Sequence, residues 1–115
     1  MFQGDLTVAD LDLRMFHDGT FHLVMEAWEA IGSGNVENPE TVVLVIDHSA
    51  PAPTDQASNL HQRLRKFSKE KGVKIYDVGA GICHQVVPQK GHAVPGDLIV
   101  GADSHTVTYG ALNAF

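Results

Sequence analysis

The chain has 115 residues, of which 43% are hydrophobic and 19% are charged, a composition that is typical of globular proteins and excludes a disordered chain. Its net charge of −6 disfavours a surface for nucleic acid or an anionic membrane, and no apolar run reaches the roughly 20 residues that span a bilayer. The single cysteine, Cys83, excludes an internal disulfide framework and an iron–sulfur site built from this chain's thiolates alone. One cysteine is typical of a reducing cytosol, so we predict a cytoplasmic protein.

The first half of the chain predicts two strands and one helix. Residues 6–16 alternate loosely between apolar and polar side chains, which indicates a strand. Apolar spacing predicts a helix over residues 21–31, capped by Thr20 and stopped by a left-handed Gly32. The face that this helix would bury comprises Phe21, Val24, Met25, Trp28 and Ile31. The apolar run at 42–46 favours a central parallel strand that is buried on both faces.

The second half predicts, in order, a helix, a strand, a glycine-rich loop, another strand and the beginning of a helix. These segments span residues 55–71, 73–78, 79–96, 98–102 and 106–115. Gly72 stops the first helix, and the basic residues crowded into its last turns are interpreted as a solvated face. The alternation of strands and helices predicts one partial α/β domain over residues 1–115, a three-layer arrangement with a mainly parallel sheet and flanking helices.

Each predicted strand is followed, at its carboxyl end, by a polar segment that contains a histidine. Ligands bind at this edge of open parallel sheets. The segments contain His17-Asp18-Gly19-Thr20, Asp47-His48, His84-Gln85 and Asp103-Ser104-His105-Thr106. We therefore expect four of the seven histidines to line one cleft, where imidazoles beside carboxylates suit general acid–base chemistry. The acid partner of His48 is open between Asp47 and Asp103.

The remaining motifs indicate no second chemistry. Gly79-Ala80-Gly81 is half of a dinucleotide fingerprint, with His84 where the third glycine would stand. Ser104 lacks the glycine-flanked elbow of hydrolase nucleophiles, and Cys83 is interpreted as a small buried hydrophobe. No local histidine spacing supports a metal site, so no metal ligand is assigned in this chain. A structural role is expected for His22, His61 and His92.

Four blocks of the sequence resemble the aconitase superfamily, above all its 3-isopropylmalate dehydratase and homoaconitase large subunits. The longest block is GICHQVVPQKGHAVPGDLIVGADSHTVTYGALNAF, at residues 81–115. The other blocks are HDGT at 17–20, the Asp47-His48 pair, and RKFSKEKGVKIYDVGAG at 65–81. The blocks follow the order expected for the family and extend over essentially the whole chain.

The resemblance implies a hydro-lyase that isomerises 2- and 3-hydroxy acids by removing and re-adding water. A [4Fe–4S] cluster serves as the Lewis acid in such enzymes, and a separate small subunit closes the cleft. The family's three ligating cysteines lie beyond the end of this sequence, and Cys83 is not at a ligand position. We therefore expect an N-terminal fragment that is inactive alone and prone to self-association through its exposed apolar surface.

The resemblance also implies roles for individual side chains. The implied catalytic group comprises Asp47, His48, His84 and Asp103, and the implied substrate-binding group comprises His17, Ser104 and His105. Within the first group, His48 paired with Asp47 would assist departure of the substrate hydroxyl. His17 falls where citrate-using relatives carry a substrate-binding glutamine.

Two other functions remain open at this point. One is a truncated, non-catalytic paralogue that acts as a binding or assembly module. The other is a metal-dependent hydratase that uses the histidines directly. Which hydroxy acid is the substrate is left open as well.

Overall fold

The computed structural model describes residues 2–32 and 34–115, and these residues form a four-stranded, all-parallel sheet with the order β3-β2-β1-β4. The strands are β1 (Leu13–His17), β2 (Val42–Val45), β3 (Lys74–Tyr76) and β4 (Ile99–Gly101). The helices are α1 (Phe21–Ala30), α2 (Asp55–Lys71) and α3 (Cys83–Gln89), with 3₁₀ helices at Pro39–Thr41 and Thr106–Leu112. In the described ranges no helix is both long and apolar enough to cross a membrane.

Two apolar cores sandwich the sheet, because alternate side chains of each strand point to opposite faces. On one face, helices α1 and α2 bury Phe21, Leu64 and Phe67 against Phe16 and Leu44. The core of the other face, where α3 and the last 3₁₀ helix pack, comprises Leu13, Met15, Val43, Val45, Cys83, Val87, Ala93, Ile99 and Tyr109. Helices therefore cover both faces, and the predicted three-layer α/β fold is confirmed.

Helix α2 forms as predicted, because both of its ends carry specific signals. The hydroxyl of Thr54 accepts the backbone N–H of Ala57 at 3.1 Å, and Gly72 ends the helix with a φ of 71°. Part of the basic face is paired, since Arg65 donates two hydrogen bonds to Asp77, at 2.6 and 2.7 Å, just beyond β3. The pair lies at the surface, in keeping with a solvated face.

Three sequence predictions in the first third of the chain are wrong in detail. The strand predicted over 6–16 begins only at Leu13, because Leu6 and Val8 are fully exposed and the described strand pairing starts at Leu13. Thr20 precedes α1 but makes no side-chain cap. Ile31, which the helical spacing assigned to the buried face, is 81% exposed because α1 ends at Ala30.

The glycine-rich segment 79–96 is not simply a loop, because it contains helix α3. This helix is not evident in the sequence, because glycines flank it on both sides and Pro88 interrupts its helical pattern. The burial of Val86 and Val87 stabilises it in the structure. The final segment forms a 3₁₀ helix at Thr106–Leu112 rather than an α-helix. The strands predicted over 73–78 and 98–102 are present but shorter.

Candidate active site

Side chains that were predicted to share a cleft converge at the carboxyl ends of three neighbouring strands. His17 is the last residue of β1, Asp47 and His48 follow β2, and Asp103 follows β4. The fourth contribution is His84, which lies in the first turn of α3. Because β1 lies between β2 and β4, these side chains converge although they are far apart in sequence.

Asp103 is the centre of the site. Its Oδ1 lies 2.5 Å from His84 Nε2 and accepts the backbone N–H of His105 at 2.8 Å. Its Oδ2 lies 3.2 Å from His17 Nε2 and 3.7 Å from His48 Nε2. One carboxylate therefore faces imidazoles from β1, from the exit of β2 and from α3.

Hydrogen bonding keeps Asp103 ionised. Burial alone raises its pKa, but the hydrogen bonds from His84 and from the His105 backbone, followed by the electrostatic effect of His84 and His17, outweigh burial. The result is a pKa lowered from 3.8 to about 2. A negative charge therefore persists at the centre of the cleft at any physiological pH.

His48 forms a hydrogen bond with the carboxylate of Asp47 and not with that of Asp103. Its Nδ1 lies 2.6 Å from Asp47 Oδ1, whereas its Nε2 lies 3.7 Å from Asp103, beyond a direct hydrogen bond. The other oxygen of Asp47 accepts the backbone N–H of Cys83 at 2.6 Å, so the carboxylate is held from two sides. The His48 side chain is 45% exposed, and its Nε2 is free to meet a ligand.

His17 carries a buried N–H for which the structure supplies no aligned acceptor. Its Nδ1 accepts the backbone N–H of Gly19 at 3.0 Å, so a neutral ring carries its hydrogen on Nε2. That nitrogen approaches Asp103 Oδ2, yet among the described residues it has no partner with hydrogen-bond geometry. Its ring stacks on that of His48, with centroids 3.7 Å apart and planes 6° from parallel.

Burial lowers the pKa of His17, and the neighbouring His48 lowers it further. The nearby carboxylates of Asp47, Asp103 and Asp18 offset these effects only in part. His17 is therefore neutral at pH 7, and it offers the site a hydrogen-bond donor rather than a charge.

Tyr109 is a member of the site that sequence reasoning missed. Its hydroxyl lies 3.2 Å from His84 Nδ1, and the side chain is buried in the core beneath α3. Burial, followed by the charges of Cys83, Asp103 and Asp47, raises the pKa of Tyr109, so its hydroxyl stays protonated and donates. This bond fixes the His84 tautomer that presents Nε2–H to Asp103.

Ser104 and His105 lie at the rim of the cleft rather than inside it. The His105 side chain is 76% exposed, and its Nδ1 lies 3.3 Å from Ser104 Oγ. The structure thus brings His17, His48 and His84 together around Asp103 and leaves this pair accessible from solvent. The three histidines expected to be structural lie outside this cluster, and His61 bonds to a different acid, Asp18.

One group of side chains in the site resembles a metal-binding arrangement, but its ligand atoms already take part in hydrogen bonds. Ligand atoms of His17, Asp18, Asp47 and His48 lie within 4.8 Å of one another. Both oxygens of Asp18 accept N–H groups, and His17 Nδ1 accepts that of Gly19, so few lone pairs remain for a cation. These residues are better suited to holding protons than to holding a metal ion.

Acid should destabilise the fold through Asp103. A carboxyl whose folded pKa is depressed contributes stability above its unfolded pKa, and this is lost as pH falls from about 3.8 towards 2. We expect Asp103→Asn to flatten the pH dependence of the unfolding free energy in that window. Urea unfolding followed by far-UV circular dichroism at pH 7, 5, 4 and 3 measures it. Asp10→Asn, in the exposed N-terminal segment, is the control; an unchanged acid slope in Asp103→Asn would contradict the prediction.

Comparison with known proteins agrees with the sequence resemblance. The Aconitase family (aconitate hydratase) matches residues 3–115. A probable 3-isopropylmalate dehydratase large subunit of Methanothermobacter thermautotrophicus is 48% identical over 113 residues, which are 97% of this chain and 27% of that protein. A probable methanogen homoaconitase large subunit of Methanosarcina mazei is 44% identical over 94% of this chain and 28% of its own length. The chain spans about a quarter of these relatives, and it belongs to the aconitase family.

Proposed function

We propose that this chain forms one wall of the active site of a hydro-lyase that acts on 2- and 3-hydroxy di- or tricarboxylic acids. The observation that carries the proposal is the cluster of imidazoles around the ionised Asp103 at the carboxyl edge of the sheet. Similarity to relatives named 3-isopropylmalate dehydratase large subunit supports 3-isopropylmalate as the substrate. The domain would then be the N-terminal part of a cytoplasmic large subunit.

His48 is the proposed acid for the leaving hydroxyl. Asp47 accepts Nδ1–H and fixes the ring orientation, so Nε2 carries a proton to give when the ring is an imidazolium. That proton would go to the departing oxygen, which leaves as water, while a base from the rest of the enzyme takes the proton of the neighbouring carbon. The same nitrogen would take the proton back when water adds at the neighbouring carbon. Asp103 stays negative throughout and orients His84 through the hydrogen bond that it accepts from Nε2.

Substrate contacts are proposed for His17 and for the exposed pair Ser104 and His105. A substrate contact of His17 rests on the family resemblance, and it requires the substrate to reach an Nε2 that is buried and lies 3.2 Å from Asp103 Oδ2. Ser104 and His105 offer exposed polar groups to a substrate that enters from solvent.

The complete enzyme is proposed to carry a [4Fe–4S] cluster, whose chemistry when bound would be Lewis-acid polarisation of the substrate hydroxyl. The residues of this chain do not fit as its ligands. Cys83 is the only cysteine and is fully buried, and burial, with the adjacent Asp47, raises the pKa of its thiol to about 12. The ligating thiolates would have to come from elsewhere in the enzyme. A small subunit is the proposed partner, since the relatives are named large subunits.

The test is an assay of the complete enzyme beside the 115-residue chain. The full reading frame, with its small subunit, is reconstituted anaerobically with iron and sulfide and offered 3-isopropylmalate, homoaconitate or citrate. We expect turnover with 3-isopropylmalate, whereas the isolated chain should hold no cluster and show no activity.

Three results would contradict the proposal. They are a complete enzyme without lyase activity on any of these acids, a stoichiometric four-iron cluster in the isolated chain, and a natural stop codon directly after Phe115. The stop codon would favour the non-catalytic module instead. Association of the isolated chain with itself remains a prediction that size-exclusion chromatography measures.

A further inference from the structure

Asp18 is a fully buried carboxylate that accepts four hydrogen bonds. Its Oδ1 accepts the backbone N–H groups of Asp47 at 3.3 Å and His48 at 3.0 Å, and its Oδ2 accepts that of Ser49 at 2.8 Å. The fourth donor is Nε2 of His61, 3.2 Å from Oδ2. Burial raises the pKa of Asp18, but these four donors outweigh burial and lower it, so the carboxylate is ionised.

The three backbone donors belong to one short segment, the exit of β2. This segment, residues 47–49, carries the proposed acid His48 and its partner Asp47. Asp18 directly follows His17, the last residue of β1, and its backbone N–H donates to Val45 O at 3.2 Å. The carboxylate therefore ties the exit of β1 to the exit of β2.

His61 supplies the only side-chain donor to Asp18 among the described residues. It lies in α2 and is 2% exposed, one turn before the buried Leu64. Its Nε2–H orients Oδ2 towards the N–H of Ser49, and thereby couples helix α2 to the turn that carries the acid. Sequence reasoning treated His61 as structural, and its position on the apolar face of α2 was the available signal.

His48 needs such support because its own side chain is nearly half exposed. Its contacts are the hydrogen bond to Asp47 and the stack on His17, and both are made at the two segments that Asp18 joins. A displacement of about 1 Å in a reacting group can cost about a hundredfold in rate. The position of the His48 ring thus depends on the backbone held by Asp18.

We propose that Asp18 and His61 are positioning residues that hold the exit of β2, and with it His48, in the geometry for proton transfer. Both side chains are buried, and their hydrogen bonds hold the backbone of residues 47–49. The inference rests on the proposed function for its kinetic consequence, but not for its structural one.

The experiment compares two amides of different reach at the same position, in the complete enzyme with its small subunit and cofactor. In His61→Gln the amide nitrogen can reach the place of Nε2 and donate to Asp18, whereas in His61→Asn it is too short. We expect His61→Gln to stay within about twofold of wild type and His61→Asn to lose about tenfold or more in kcat, with KM changed by less than about twofold. His22→Gln and His22→Asn, at an exposed histidine of α1, measure the generic cost of each amide in a helix.

A second measurement does not depend on activity. Hydrogen exchange of the peptide that covers residues 47–49 should be at least about tenfold faster in His61→Asn than in His61→Gln, because the N–H groups lose a firmly held acceptor. Equal exchange and equal kinetics in the two variants would overturn the inference, as would faster exchange and lost activity in His61→Gln. If His61→Asn fails to assemble, the exchange of His61→Gln decides, since only wild-type protection supports the inference. An inactive wild-type enzyme would contradict the proposed function alone, and the exchange comparison would still decide the positioning role.

Discussion

Replacing His48 with asparagine in the complete enzyme is expected to lower kcat by about 10²- to 10⁴-fold, the usual contribution of a general acid. Asparagine can still donate to Asp47 from the place of Nδ1, so the exit of β2 keeps its local contact. It has no group that transfers a proton from the place of Nε2. Steady-state assays over pH 6–9 on the reconstituted enzyme measure the loss, with KM expected to change little.

The matched control is His92→Asn, at a histidine outside the cluster. His92 Nε2 bonds to the hydroxyl of Tyr76 at 2.6 Å, beside the edge strand β3. We expect its kcat to stay within about threefold of wild type, because this hydrogen bond involves neither Asp103 nor any of the histidines around it. A His48→Asn enzyme that kept more than about a third of wild-type activity would show that another group protonates the leaving hydroxyl.

Leu44→Ala is expected to lower the unfolding free energy by about 2–5 kcal/mol. Leu44 is fully buried in the central strand β2, between β1 and β3, and it packs in the core that faces α1 and α2. Its removal leaves a cavity that the neighbouring strands cannot close without breaking their register. Urea unfolding followed by far-UV circular dichroism measures the loss.

The control for this truncation is Leu23→Ala on α1, where the leucine is 56% exposed. It should change the unfolding free energy by less than about 0.5 kcal/mol, since little apolar surface leaves the interior. Similar losses in both variants would mean that the cost arises from leucine in general and not from the packing around β2.

The elements that were predictable from sequence are those whose local pattern and tertiary environment agree. Strand β2 is apolar at every position because a central parallel strand is buried on both faces. Helix α2 has a capping threonine at Thr54, a stop at Gly72 and an apolar stripe between them. The prediction made strand β1 too long because residues 6–12 alternate as a strand would, and only the sheet shows that the strand pairing begins at Leu13.

Helix α3 and the helical residues that support the site were not predictable from the sequence, for a different reason. α3 is seven residues long, too short for a helical period to stand out between glycines, and its burial against the sheet supports it. His84 gains its role from that helix. Tyr109 contacts His84 and His61 contacts Asp18 from packing layers that no short motif describes.

The amino-acid sequence by itself determined the α/β class, the family resemblance and the gathering of polar segments at one edge of the sheet. The class and the gathering follow from strand and helix periodicities and from the order of the segments, and the resemblance rests on the four matching blocks of residues. The tertiary structure alone decided which atoms meet. Asp47 rather than Asp103 bonds to His48, and Asp103 bonds to His84 and faces His17. Asp18 holds the backbone of the turn that carries His48. Such pairings depend on strand order and register, because β1 lies between β2 and β4 and brings distant segments within a few ångströms.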